Sequence, residues 1–361
     1  MRTLNKEELY DILYGCAVLG TGGGGLLTKG LKLVDTALES GKSFDLVTLE
    51  ELPDDGFIGV PYCCGALSNK ADETLAKLPI LPDPPGVLAA QAMERYLRRP
   101  FDGFMSTELG GGNTAEAFYT AAVMGRPIVD ADPAGRSVPE LQHSTFFLHD
   151  IPIAPMSVAD VYGNSAVFDR VTSDERAEAW ARALATASNN TVGILDHPSK
   201  VSDIRKAVID GAITYAEKLG KALRGALKSE ADPAEAVITE GQGQELFYGT
   251  VQSAEFESKD GFTFGTILMK GLNNYDGKTY KIWIKNENLV SWLDDAVHVT
   301  APDLICMLRD DGEIQMNPHV KSGQIFTVFA LPAPEQWTTP RGIDCLGPRS
   351  FGFDFDYKSF K

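Results

Sequence analysis

Gly103-Phe104-Met105-Ser106-Thr107-Glu108-Leu109-Gly110-Gly111-Gly112-Asn113-Thr114 is the stretch that decides the fold. Its first residues read as a strand over 103–107. A carboxylate closes that strand, three glycines follow, and Asn113 offers an oxygen to cap a helix over 114–124. A further strand at 127–130 completes a strand–loop–helix–strand unit, with its polar groups at a strand's C-terminal edge, where α/β sheets place their sites. The same alternation runs toward the N-terminus, with strands expected at 44–49 and 56–62 and a helix at 86–97. A helix over 5–19 opens the chain, with Asn5 as N-cap, Glu8 three positions on, and Leu9, Ile12, Leu13, Cys16 and Ala17 at helical spacing. Another over 26–40 ends at Gly41, a left-handed cap. Proline-rich stretches at 79–85 and 152–155 read as surface connections.

Beyond about residue 165 the texture changes. Helices are expected at 174–187 and 200–228, the second capped by Ser199 or Ser202. The signal from 236 to 330 is mostly strand, at 262–270, 278–286, 296–309 and 324–330, with Gly, Asn and Asp turns between. The tail reads as mostly irregular. The expected architecture is an α/β N-terminal sandwich over 1–168, and over 169–361 a β-rich, barrel- or sandwich-like domain with helices in its N-terminal part.

Fifty acidic against 33 basic side chains leave a net charge of −17, a field that repels phosphate backbones and anionic lipid surfaces, so neither nucleic acid nor membrane is an expected partner. The five cysteines are odd in number and Cys63-Cys64 are adjacent, which disfavours a disulfide framework and points to a reducing compartment. The charged start has no apolar leader pattern, and no uncharged run approaches spanning length, so a cytoplasmic location is expected.

Four constellations carry candidate chemistry. Gly20-Thr21-Gly22-Gly23-Gly24-Gly25 lies between two helices, where backbone amides can approach a ligand closely. No Lys-Ser/Thr follows and no strand precedes it, so a nucleotide is not expected. The second is Glu108 with Gly110, Gly111, Gly112 and Asn113; the two glycine loops are expected to face each other across one cleft. The third, Val129-Asp130-Ala131-Asp132-Pro133-Ala134-Gly135-Arg136-Ser137-Val138-Pro139-Glu140-Leu141-Gln142-His143, is dense in groups suited to acid–base work, substrate clamping or metal binding. The fourth, Val60-Pro61-Tyr62-Cys63-Cys64-Gly65-Ala66, ends a strand in two thiols that suit nucleophilic attack or soft-metal ligation. Each has a purely structural alternative: a turn between helices, a helix cap, an Asp-Pro turn with a surface ion pair, and buried packing for the thiols. Of the other histidines, His197 precedes a proline, His149 lies in a loop, and His298 and His319 fall in the β-rich half; none has zinc-motif spacing.

Together Leu19-Gly20-Thr21-Gly22-Gly23-Gly24-Gly25, Glu108-Leu109-Gly110-Gly111-Gly112-Asn113, Asp130-Ala131-Asp132 and Gly135-Arg136-x-x-Pro139-Glu140-Leu141-Gln142 resemble the S-methyl thiohydantoin desulfurase family. Ala301-Pro302-Asp303-Leu304-Ile305-Cys306 and Gly347-Pro348-Arg349-Ser350-Phe351-Gly352 extend the resemblance to nearly the whole chain. It implies an N-terminal α/β sandwich, a β-rich second domain, and action on a small hydantoin-like five-membered ring at the carbon bearing sulfur. It also implies a hydantoinase- or oxoprolinase-type partner, and a non-catalytic, ligand-binding subunit of such an enzyme is the alternative reading. The expected catalytic set is Glu108, Asp132, Arg136, Glu140, Cys63 and Cys64. Glu108 or Asp132 would act as base, Arg136 would hold an acidic side arm, and Cys63 or Cys64 would serve a covalent variant. Thr21, Gly22, Gly23, Gly24, Gly25, Gly110, Gly111, Gly112, Asn113, Asp130 and Gln142 are the expected substrate contacts, the glycine amides holding ring oxygens. His143 is the candidate ligand of a divalent metal, zinc or manganese. A homo-oligomer is compatible with the sequence.

Overall fold

The opening helix, Lys6–Leu19, forms on the reciprocal cap expected of it: Glu8 N donates to Asn5 Oδ1 at 3.1 Å, and Asn5 N donates to Glu8 Oε2 at 2.7 Å. Leu27–Glu39 follows, and Gly41 takes the left-handed conformation that ends it. The computed structural model describes residues 1–65 and 75–361, so Ala66, the last residue of the cysteine-bearing run, lies outside the described residues.

The N-terminal sheet has eight strands, in the order Arg2–Thr3, Asp45–Val47, Ile128–Val129, Gly103–Phe104, Phe57–Gly65, Thr191–Lys200, Met156–Ala159, Ser165–Phe168. The run from Asp45–Val47 to Phe57–Gly65 pairs in parallel, and the remaining pairs are antiparallel. The sheet is therefore the mixed α/β layer anticipated from the alternation. Its strand Thr191–Lys200 comes from beyond the expected break at 168/169. The second sheet is fully antiparallel, seven strands curled into a half barrel in the order Ala296–Thr300, Glu287–Leu293, Thr279–Lys285, Phe262–Gly271, Gln244–Lys259, Ile325–Leu331, Leu304–Leu308.

Several expected elements divide or change. The span 200–228 is one turn, Val201–Ile204, then the bridge Ile209–Asp210 paired with Ala131–Asp132, then the helix Ala212–Lys228. The break falls at Gly211, whose φ of 71° no helix interior adopts. Neither Ser199 nor Ser202 caps that helix; Asp130 does, from a remote loop, accepting from Thr214 N at 2.8 Å and from the Thr214 hydroxyl. The span 296–309 is two strands interrupted at Ala301-Pro302-Asp303, because proline has no N–H for the ladder. Residues from 236 continue a helix, Pro233–Glu240, capped by Asp232. The tail contains a helix, Pro340–Leu346, capped by Thr339. The strands Gln244–Lys259 and Glu287–Leu293 escaped the sequence reading.

One core runs through both sheets' territories: Leu13, Val18 and Leu19 of the first helix and Ile213, Leu219 and Leu223 of the late helix pack with Leu304, Cys306, Phe329 and Leu331. The loops at the C-terminal end of the first helix are thereby held against the edge of the second sheet. Among the described residues no helix is long and apolar enough to cross a membrane.

Candidate functional site

The glycine loop is the seam between the two sheets. Asn288 N donates to Thr21 O and Asn317 N donates to Gly22 O, each at 2.9 Å, so the second domain grips the loop by its carbonyls. Below it lies Arg136, fully buried, donating to Pro302 O at 2.9 Å, Asp303 O at 3.2 Å, Ser137 O at 3.0 Å and Thr21 Oγ1 at 3.0 Å. Those bonds occupy the guanidinium inside the protein, and Arg136 does not reach the cavity described next.

That cavity, of about 640 Å³, opens where the glycine loop, the segment after Thr107, the segment from Pro133 to Ser144 and the loops around Glu287 and Asn317 converge. Of the expected residues, Gly22, Gly23, Gly24, Gly25, Gly112, Asn113, Cys63, Cys64, Glu108, Glu140 and His143 line it. Thr21, Gly110, Gly111, Asp130, Asp132, Arg136 and Gln142 do not. Asp130 caps the late helix, and Asp132 accepts twice from Gly135 N, at 2.8 and 3.0 Å, inside its own turn. The two glycine runs do not stand across a cleft but touch. Gly24 O accepts from Gly112 N and Asn113 N at 3.0 Å, and a Cβ on Gly24 would lie 2.5 Å from Gly110 Cα. Gly23 N is likewise engaged, with Gly20 O at 2.8 Å, and Gly110 N donates to Thr114 Oγ1 at 3.1 Å. Several amides expected to hold ring oxygens are thus already used.

Glu108 sits in the cavity wall with both oxygens engaged. Asn113 Nδ2 donates to Oε1 at 2.7 Å, while Val138 N at 2.9 Å and Ser137 Oγ at 3.0 Å approach Oε2. Asn113 therefore is no cap: Gly112 occupies that position, and Asn113 joins Glu108 to the Cys63 N–H, 3.3 Å from its Oδ1. Ser137 Oγ also lies 3.0 Å from Glu287 Oε1. A hydroxyl has one proton, so it can donate to only one of two carboxyls; the other must bring a proton of its own. Burial, with the Glu108 charge beside it, pushes Glu287 up to about 8, which makes Glu287 the protonated partner at neutral pH. Burial also raises Glu108, but the bonds from Asn113, Val138 and Ser137 favour its anion. Glu287 is 2% exposed and its Oε2 has no protein partner. Gly23 makes room for it, since a Cβ there would fall 1.9 Å from Glu287 Oε1. Glu287, Asp196 and Glu116 of the wall went unnoticed in the sequence reading, while Tyr62 of the wall and Ser137, which does not itself line it, stood in the candidate runs without a role.

The thiols are neutral. Burial drives Cys63 well above its ordinary range, with Glu116 adding to the effect, and pushes Cys64 up to about 12. Glu140 pairs with Lys285 Nζ at the rim. Burial lowers His143 to about 4, so it is a neutral imidazole, packed against Phe351 with ring centroids 5.5 Å apart. Among the described residues no three His, Cys, Asp or Glu side chains converge as a metal would require. Among the described residues His143 therefore lacks the set of donors that zinc or manganese would need. Six lining carboxyls, Glu108, Glu116, Glu140, Glu178, Asp196 and Glu287, face only Lys29 and Arg182 as lining cations, so the wall suits a neutral or proton-donating ligand rather than an anion.

Family models match the chain in two blocks, the S-Me-THD-like N-terminal domain over residues 7–170 and the S-Me-THD-like C-terminal domain over 172–360. The chain belongs to the S-Me-THD-like family. The family resemblance met in the glycine and carboxylate motifs thus holds over both domains. No curated protein matches the chain. A crystal structure of a protein from Chromobacterium violaceum shares the fold of this S-Me-THD-like chain, with a TM-score of 0.78 and 21% identity over 100% of both chains.

Proposed function

We propose that the protein is a hydrolase that releases a thiol from a hydantoin-like five-membered ring by water attack at the carbon bearing sulfur. The observation that carries the reading is the Ser137 hydroxyl held 3.0 Å from both Glu108 and Glu287, two carboxyls that line the cavity, of which burial pushes Glu287 up to about 8. An S-alkyl thiohydantoin carbon is amidine-like, so attack on it is assisted by a proton given to the ring nitrogen. Glu287 keeps such a proton at neutral pH, in a wall short of competing cations. Glu108 accepts the Ser137 hydroxyl proton, so the serine oxygen is left to accept a hydrogen bond from the Glu287 carboxyl until that carboxyl gives its proton to the ring nitrogen. Water's oxygen bonds to the ring carbon, the carbon–sulfur bond breaks, and the thiol leaves with a proton, producing the oxo ring. The cavity is ample for such a ring with a side arm.

Incubating the protein with S-methyl thiohydantoins in ¹⁸O water, with thiol trapping and product mass spectrometry, tests the proposal. Methanethiol with one ¹⁸O in the ring product is the expected result. [¹⁸O]methanol with a thiohydantoin that keeps its sulfur would mean cleavage on the methyl side and would overturn the proposal, and hydantoin binding with no release would favour the ligand-binding subunit.

A further inference from the structure

The water in that reaction needs a base, and Glu108 is a poor one because both its oxygens are already engaged. A better group lies on the strand Thr191–Lys200. That strand pairs Ile58 with Ser199 and Val60 with Asp196, so Gly59 alone stands opposite His197 and Pro198. The result is a bulge, a device that re-aims a side chain out of the alternation of its strand. His197 has a φ of 42°, a left-handed conformation that a residue with a Cβ adopts only at a cost of about 1–3 kcal/mol.

The bulge lets neighbours in sequence meet side by side. His197 Nδ1 lies 3.0 Å from Asp196 Oδ1, and Tyr62 OH donates to Asp196 Oδ2 at 2.7 Å. All three side chains are buried and line the cavity. The carboxylate fixes the tautomer: the Nδ1 proton faces Asp196, so the lone pair resides on Nε2. Phe146, with its ring centroid 5.0 Å from that of His197, holds the plane of the imidazole, and His197 N donates to Ile153 O at 3.1 Å. Nε2 is itself buried and has no protein partner. A buried imidazole nitrogen that is oriented by a carboxylate, left unpaired and set in a cavity wall is a base awaiting a proton.

We propose that His197, oriented by Asp196 and Tyr62, is the general base that takes the proton of the attacking water; the inference rests on the hydrolytic reading above. One water proton goes to Nε2 as the water oxygen bonds to the ring carbon, while Glu287 protonates the ring nitrogen. On collapse the carbon–sulfur bond breaks and the imidazolium proton goes to the departing sulfur. The remaining hydroxyl proton returns to Glu287, so one water is consumed, one thiol leaves, and both side chains are restored. Asp174, close enough to interact electrostatically with His197, joins Asp196 in stabilising the transient imidazolium.

The test combines kinetics with a spectroscopic readout that needs no turnover. In ¹⁵N-histidine-labelled full-length protein, His197 is assigned by loss of its signal in His197→Gln. Should that variant not fold, elimination with His143→Gln, His149→Gln, His298→Gln and His319→Gln assigns it instead. The expected spectrum shows the Nδ1–H tautomer, with an Nε2 shift that moves when hydantoin is added. An Nε2–H tautomer, or an Nε2 resonance indifferent to hydantoin, overturns the proposal even if no thiol substrate turns over. Where thiol release is measurable, His197→Gln should lower kcat by about 10²- to 10⁴-fold with KM and hydantoin affinity kept within a few-fold. Tyr62→Phe, as a positioning change, should cost less and preserve the tautomer. Full kcat in a folded His197→Gln protein would overturn the assignment and leave the hydrolytic reading standing. Absence of thiol release from the wild type would instead count against that reading alone.

Discussion

Replacing Glu287 with Gln should change how stability depends on pH more than it changes stability itself. Glu287 moves from an ordinary 4.5 to about 8 on folding because burial disfavours its charge and Glu108 repels it. Its raised value means that the stability it contributes is fully present below about 4.5 and is lost as pH rises through about 8. Between those limits the unfolded chain releases a proton that the folded chain keeps. Each such proton contributes a slope of about 1.4 kcal/mol per pH unit. Between about pH 5 and 7 the wild type should therefore lose roughly 2–3 kcal/mol relative to Glu287→Gln, which mimics the protonated form at every pH. Asp132, pushed up to about 8, and Glu116, up to about 7, act in the same direction but are common to both proteins and drop out of the difference. Urea unfolding of both proteins at several pH values across that window measures it. Parallel stability curves would mean that Glu287 is not the protonated member of the pair, and the acid assigned to the site would be lost with it.

Gly23→Ala should cut hydantoin binding or thiol release by about tenfold or more while moving the melting temperature little, because its Cβ would displace the Glu287 carboxyl rather than strain the backbone; unchanged activity would show that Glu287 does not act from its present position. Gly24→Ala, by contrast, combines a φ of 73° with a clash at Gly110 Cα, and should destabilise folding by about 2 kcal/mol or more in denaturant unfolding. Arg136→Met should destabilise by about 3 kcal/mol or more, since it orphans carbonyls at the seam of the two domains; a calorimetric trace as stable as wild type would refute the pinning role. Cys63→Ser should retain turnover within about threefold, and the folded wild type should label slowly with iodoacetamide near neutral pH, as expected of a half-buried thiol held neutral by its surroundings; loss of turnover would revive the covalent route.

The legible part of the fold was what short-range chemistry writes. The Asn5 and Glu8 pair announced its helix because both partners lie within four residues, and alternating runs announced both sheets. The helix expected over 200–228 failed because what holds the chain extended before Gly211 is remote: Ile209–Asp210 pairs with Ala131–Asp132, and Asp130 caps Ala212–Lys228 from 84 residues away. The same distance explains the mixed fortunes of the site. Polar residues at strand ends serve ligands or satisfy backbone amides with equal chemical fitness, so Asp130, Asp132 and Arg136 looked like Glu108 until the amides and carbonyls they satisfy came into view. Glu287 stands 150 residues from the serine that defines its protonation, and it falls just past the strand expected at 278–286, where nothing nearby in sequence marks it as a site residue.

His197 carried a local signal that was noted without its meaning, a proline directly after it. A proline is tolerated in a strand at a bulge, and a bulge is what sets the imidazole beside Asp196 in the cavity wall. The glycine run likewise marked the right place for a different reason than ligand contact alone. Gly24 is small so that two loops can touch, and Gly23 is small so that a buried acid can fit. In both cases the unusual backbone residue indicates which side chain the fold makes room for. A glycine between helices and a His-Pro within an apolar strand are therefore better searched for the distant group they admit than for a ligand they hold.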